Sequence, residues 1–399
     1  MGFVNSTPGG KWRANWRDPE GKQRAKTFRT KREAATFLAQ VETQKAQGAY
    51  ISPHAGRVPF GEHAQRWMDT WNTEATTAAR DASIMRNHVL PQWGAWPLAK
   101  IDHMAIQAWI TDLCEKRSRA TVVECYRLTA SVLKSAVRNR LIPFNPAEEV
   151  RIPKKRTRDT DERIISRADL RSRLLPAAPD FYRGVIATAA GAGLRWGEVA
   201  GLCTDALDLD GGTLSVVRTV TEVSGHTTFK SFPKSKAGRR TVPLPPWLIE
   251  VIGEHIRRWP PLDEGLVFSN TVGKPLRRTL FRSRVWKPSL VRAGLLGKLT
   301  QNPAGGWTGT WTNQHGAAES AEFATHDAAV LEVARKAADG LRFHDLRHSY
   351  ATWLVDDGVP VNMVQRVMGH ERASTTLDHP RPLHPPHRRR GAHLARSHR

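Results

Sequence analysis

The chain has 399 residues, enough for two or three domains, and its 40% hydrophobic and 25% charged content is ordinary for a globular protein. Lysine and arginine outnumber aspartate and glutamate by 61 to 38, a net charge of +23, so the expected partner is a polyanion, nucleic acid ahead of an anionic membrane surface. No apolar run nears the roughly 20 residues of a bilayer span, residues 1–10 lack the apolar stretch of a secretory signal, and Cys114, Cys125 and Cys203 give neither a disulfide framework nor a CxxC metal spacing; the expectation is a cytoplasmic protein with no metal centre and no membrane partner.

From Lys11 the chain alternates around Trp12, Ala14 and Trp16, turns at Asp18-Pro19-Glu20-Gly21 and extends again to Phe28. Thr30 and Glu33 form a capping-box pattern for a helix that places Ala34, Ala35, Leu38 and Val41 on one side. Lys11, Arg13, Arg17, Lys22, Arg24, Lys26, Arg29, Lys31 and Arg32 decorate this unit. So much positive charge on a small sheet plus helix fits a phosphate-gripping module, the alternative being a solvated basic face.

A linker at Ser52-Pro53-His54-Ala55-Gly56 leads into helical periodicity, with Phe60, Ala64, Trp67, Met68 and Trp71 on one face. Asp102 is placed to cap a helix burying Ile106, Ile110 and Leu113. A further helix runs from about Ala120 to Arg138, with Val122, Tyr126, Leu133 and Val137 inward, and Asn145-Pro146 as its stop. Residues 58–148 therefore read as a small helical bundle. The connector that follows carries Lys154, Lys155 and Arg156 and has no apolar period, as expected of a groove-tracking segment.

A third unit starts near Ser166, a cap with Asp169 at the right offset. Its helix through Val185 and Ile186 breaks at Gly191-Ala192-Gly193, and a short helix begins near Trp196. Three extended pieces follow, Thr213 to Val220, about Thr227 to Phe232, and Arg240 to Leu244, and the chain is then mostly helical to Met368. Within that stretch a shift of 295 residues aligns Gly10, Trp12, Trp16, Gly21, Phe28, Thr30 and Ala34 with Gly305, Trp307, Trp311, Gly316, Phe323, Thr325 and Ala329, without a gap. A second, less basic copy of the sheet-plus-helix module is expected at about 297–340.

Four pieces of the third unit carry chemistry: Gly193-Leu194-Arg195-Trp196-Gly197-Glu198, the stretch 233–244 with Lys234 and Lys236, His344-Asp345-Leu346-Arg347-His348-Ser349, and Met368-Gly369-His370-Glu371. Their types and order closely resemble the phage-type integrases, which are tyrosine recombinases, and the likeness runs to Asp378. The resemblance implies a multidomain chain, mostly α with α+β parts. Its parts would be an arm-site DNA-binding domain over 1–50, a helical core-binding (SAM-like) domain over 58–148 and a mixed α+β catalytic domain over 160–378, with a basic disordered tail at 379–399. It puts Arg195, Lys234, His344, Arg347 and His370 at the catalytic positions, with Lys236 an alternative to Lys234.

That chemistry suits these residue types. Two guanidiniums can hold the oxygens of a five-coordinate phosphorane. A lysine can protonate the departing 5′ oxygen, while the histidines orient the nucleophile and hydrogen-bond the phosphate. A 3′-phosphotyrosine intermediate conserves the bond energy, so no cofactor is implied. The implied partners are double-stranded DNA at attachment sites, a homo-tetramer assembled on it, and room for an accessory excision or bending protein.

The sequence departs from the family in one respect. The tyrosine expected ten residues past His370 is Pro380, and none of Tyr50, Tyr126, Tyr182 and Tyr350 follows His370. Tyr350 lies on one helix with Ala351 and Leu354, a setting for core packing. From His379 to Arg399 the chain holds six arginines, five histidines, four prolines and no acid. A frameshift just after Asp378 is one reading, and a genuine basic tail that adds non-specific DNA affinity is the other. Two functions stay open: a site-specific recombinase, impaired by the missing nucleophile, or a DNA-binding protein without chemistry.

Overall fold

The computed structural model describes residues 2–48, 50–52, 54–153, 163–230, 239–262, 264–303 and 305–369. The fold is multidomain and mostly helical with several small antiparallel sheets, in two compact units, Met1–Arg158 and Asp159–Arg399.

The first unit opens with a three-stranded meander, β1 (Phe3–Ser6), β2 (Trp12–Arg17) and β3 (Gln23–Phe28), with Trp12 opposite Phe28 and Trp16 opposite Arg24. Strand β1 was not expected. Four residues are too few for a periodic signal, and this strand exists because β2 offers it an edge. The capping box forms on the Lys31–Ala46 helix: Thr30 Oγ1 accepts from Glu33 N at 3.2 Å, and Glu33 Oε2 accepts from Thr30 N at 3.4 Å. This helix lays Ala34, Leu38 and Val41 on the sheet, but Ala35 is exposed and Phe37 takes its place, edge-on to Trp16 with ring centroids 5.3 Å apart. Trp16 Nε1 donates to Tyr50 Oη at 2.8 Å and closes the small core.

The rest of this unit is a bundle of the helices Phe60–Asp69, Ala75–Ile84, Leu90–Trp93, His103–Lys116 and Arg119–Arg138 around a core that includes Phe60, Trp93, Ile106, Ile110 and Leu133. Asp102 caps as expected, accepting from Ala105 N at 2.8 Å. The last helix ends at Arg138, well before Asn145-Pro146, because the chain reverses at Arg140, whose φ is +54°.

In the second unit Ser166 accepts from Asp169 N, and the helix Asp180–Gly191 runs into the short helix Trp196–Ala200. Strands β4 (Leu207–Asp208), β5 (Thr213–Val216) and β8 (Arg240–Pro243) form one sheet in the order β4-β5-β8, while β6 (Thr219–Val223) and β7 (His226–Lys230) pair separately. The single extended piece expected over Thr213 to Val220 is thus two strands. They separate at Arg218, which turns aside to grip Asp205 with two hydrogen bonds of 3.0 and 2.6 Å.

A second meander follows, β9 (Lys298–Gln301), β10 (Trp307–Thr312) and β11 (Ala318–Phe323), with the helix His326–Lys336. Every strand of β1–β3 has its counterpart here at a shift of 295 residues, with the same order and register, Trp307 facing Phe323 as Trp12 faces Phe28. The turns repeat too. Asp18 accepts from Lys22 N at 2.8 Å, Asn313 accepts from Ala317 N at 3.0 Å, and Gly21 and Gly316 sit at φ +83° and +84°. Thr325 caps as Thr30 does. The helices Asp345–Asp356 and Val361–Met368 are the last elements among the described residues, and the core joins Leu346 and Trp353 to Trp311, Val330 and Val333 of the second meander.

Candidate active site

Gly193, at φ +62°, turns the chain between two helices, and a Cβ there would lie 2.3 Å from the Tyr350 ring, so the position is closed to other residues. Arg195 follows at the N-terminus of Trp196–Ala200. Its backbone N and its Nη1 each donate to Glu198 at 2.9 Å, and Nη2 reaches Gly369 O at 3.3 Å. Its side chain is 41% exposed, which leaves part of the guanidinium facing solvent.

Glu198 is a buried carboxylate paired with both Arg195 and Arg240. Arg240 on β8, with a side chain only 4% exposed, donates to both of its oxygens at 3.1 and 2.8 Å and through Nε to Val367 O at 2.6 Å. Burial would raise the Glu198 pKa, but the hydrogen bond and charge of Arg240, with Arg195, win and hold it at about 2. This shared carboxylate fixes Arg195 and leaves it only one side-chain bond to Glu198.

Arg347 lies in the first turn of Asp345–Asp356 and is 2% exposed. Nη1 donates to Gly193 O at 2.6 Å and Nη2 to Met368 O. Burial, and after it the charge of Arg195, lower its pKa to about 9, so it remains a cation at neutral pH. Three arginines thus meet one helix end: Arg240, Arg347 and Arg195 donate in turn to the carbonyls of Val367, Met368 and Gly369, where the helix dipole favours cations.

His344 is the N-cap of the same helix as Arg347 and keeps an exposed edge. Partial withdrawal from water, then the charge of Arg347, hold its pKa below the ordinary imidazole value, so it is neutral near pH 7 and able to accept a proton. Its ring stands 4.9 Å from that of His348. Tyr350 packs with Ala351, Val364 and Met368, and burial pushes its pKa up to about 12, against use as a nucleophile.

The structure therefore brings Arg195, Arg347 and the Glu198–Arg240 pair to one helix end, with His344 one helical turn from Arg347. Lys234, Lys236, His370 and Pro380, and the connector residues Lys154, Lys155 and Arg156, lie outside the described residues. In the N-terminal module Arg13 and Arg17 share the open face of the sheet, opposite Thr27 and Gln23. Lys11 precedes β2, Arg29 flanks the helix cap, and Lys31 stands over the Trp12 ring at 5.3 Å; all five are exposed. The inward role of Arg240 escaped the sequence reading. Its signal was the two-residue period of a strand: Val242 is buried, so Arg240 faces the same way.

The phage integrase family model matches residues 312–379, which include His344 and Arg347. A putative prophage phiRv2 integrase of Mycobacterium tuberculosis is 26% identical over 390 residues, covering 94% of this chain and 90% of that protein. Among solved structures, a Tn1549 transposon integrase in complex with transposon right end DNA is similar with a TM-score of 0.56 at 17% identity, over 80% of this chain and 94% of that one. A lambda integrase dimer bound to a core site gives 0.55 at 14% identity, over 99% and 97%. The two structural likenesses concern the fold.

Proposed function

For a chain that belongs to the phage integrase family of tyrosine recombinases, we propose that the substrate is attachment-site DNA and that Arg195 and Arg347 hold the scissile phosphate. Its class is site-specific recombinase, and its partner is DNA. The observation that supports the clamp best is the convergence of two guanidiniums on neighbouring carbonyls: Arg347 immobilised behind, Arg195 half-open in front. Both would stabilise charge that grows on the phosphorane, with donors already oriented before reaction. Neutral His344 would take the proton of an attacking hydroxyl, and Lys234, by family likeness, would supply one to the leaving 5′ oxygen.

Cleavage by this chain is proposed to be impaired. Pro380 has no nucleophilic atom, no tyrosine follows His370, and the family match ends at residue 379, next to that position. The same facts favour a second reading, a protein that occupies attachment sites without cutting them and so blocks an intact relative. The Arg13 and Arg17 face and the connector cations would supply phosphate grip in both readings. A tetramer on DNA is proposed because a lambda integrase forms one on a Holliday junction. An accessory excision or bending protein is also part of the proposal.

Gel retardation on the attachment site, paired with a nicked suicide duplex that traps covalent adducts, tests this. Retardation without adduct is expected; an adduct overturns the impaired reading, and absence of site-specific retardation overturns the recombinase reading. Reading the gene's other two frames from codon 378 tests the frameshift, which fails if neither supplies a tyrosine near position 380.

A further inference from the structure

We propose that the open face of the inserted sheet β9–β11 reads base edges of the duplex beside the scissile phosphate, adding sequence discrimination but little affinity. This rests on the DNA-recombinase reading above. Opposite residues of an antiparallel pair share a face, so Thr308 and Thr310 lie with Glu322 and Ser320 on one side and with Thr300 and Lys298 on the other. Trp307, Gly309 and Trp311 point the opposite way, toward the helix His326–Lys336. The open face is a solvent-facing row of hydroxyls with one cation and one carboxylate.

That set matches base edges in kind. Hydroxyls donate or accept, a carboxylate accepts from the cytosine amine, a lysine donates to guanine, and threonine methyls meet thymine methyls. Thr308 Oγ1 donates to Asn302 Oδ1 at 2.7 Å, which leaves its lone pairs to accept. Alternate residues of a strand are about 6.8 Å apart, close to two base-pair rises of about 3.4 Å each. β-Branched threonines hold few rotamers, so the row is pre-set.

Phosphate grip, by contrast, is missing. At all nine positions where the N-terminal module carries Lys11, Arg13, Arg17, Lys22, Arg24, Lys26, Arg29, Lys31 and Arg32, the copy has no lysine or arginine, and Glu319 and Asp327 replace Arg24 and Arg32. Contacts to phosphates position a protein and base contacts specify the site, so this face retains the second without the first. Positioning comes from continuity with the phosphate site. The module shares a core with Leu346, the residue next to Arg347, and ends at Gly340, four residues before His344. A protein partner fits less well, because the side chains of this face, Thr312 and Ala318 included, offer no aromatic, methionine or arginine, the residues enriched at interface cores.

The test is selection of binding sites from a randomised duplex pool by the full chain and by Thr308→Val/Thr310→Val and Glu322→Gln, with a salt titration of each. Valine keeps the branched shape, so the sheet is retained. The variants should lose preference at a short contiguous run of base pairs, about tenfold at the most affected one, with the rest of the motif and the salt slope unchanged. An unchanged motif overturns the proposal and leaves the face to a protein. Uniform loss of affinity with a shallower salt slope also overturns it, since the sheet would then grip phosphates. A wild-type chain that selects no motif at all overturns the recombinase reading itself, a result distinct from the other two.

Discussion

The N-terminal module and the inserted one repeat a backbone strand for strand, yet Trp16 packs with Val41 and Tyr50 in a cluster of its own, whereas Trp311 belongs to the main core of the second unit. The first carries ten basic and four acidic residues over 2–46, and the second three and five over the matching 297–341. Their common elements are few: a buried tryptophan, a small residue under the helix, a capping threonine, and a turn closed by Asp18 or Asn313 ahead of a glycine. Those positions determine the backbone. Exposed positions are then free to take opposite charge, because a surface substitution away from caps and turns costs little stability.

The largest difference between the modules should appear in the core. Trp311→Ala is expected to destabilise the second unit by about 3–5 kcal/mol, while Trp16→Ala should open only the N-terminal module. Hydrogen exchange of the two variants decides, and equal loss of protection in Asp345–Asp356 from both would break the contrast. Next come Gly21→Ala and Gly316→Ala, both at left-handed φ, which should each cost about 1 kcal/mol or more in denaturant unfolding. Matching costs would show that the turn is equally demanding in both settings.

Exchanging surface chemistry is the third comparison. Giving β2 the residues of β10, Arg13→Thr with Arg17→Thr, should weaken DNA binding about tenfold at low salt and reduce the log–log salt slope by about 2. Thr308→Ala with Thr312→Ala should leave that slope alone. The smallest effect concerns acid. Asp18, despite burial, is held below the ordinary carboxylate pKa by Arg24, and Glu319 by Asn313 and Trp311. Each contributes stability above its unfolded pKa near 4 and loses it as pH falls through the lowered folded value. Added salt should weaken the Asp18 contribution, whose main partner is charged, more than that of Glu319, whose main partners are neutral, as NMR titration of both carboxyls would reveal.

The duplicated module, its caps and its turns could be read in advance because each depends on residues close in sequence. Strand β1 could not, since its pairing partner rather than its own four residues makes it a strand. Nor could the break at Arg218, which follows from an ion pair with Asp205, or the placement of Arg240 on Glu198, a contact 42 positions distant. Local period indicated which way Arg240 faces but not what it meets. At the candidate site, motif order proposes Arg195, His344 and Arg347, and folding sets them near one another. The carboxylate that two arginines share, and the helix end that three of them reach, emerge only when segments far apart in the chain are folded together.

That helix end changes how substitutions at the candidate site should be interpreted. Arg240 and Arg347 satisfy the last two carbonyls of Val361–Met368, and Arg195 that of its cap residue Gly369, which precedes His370 in sequence. Removing any one of them deletes a cation and also uncaps the helix, so an alanine variant measures two losses at once, and the three single effects will not add. Lysine at the same positions restores charge without the planar fork. The gap between the lysine and alanine variants therefore measures the charge itself, and what lysine fails to recover measures the geometry.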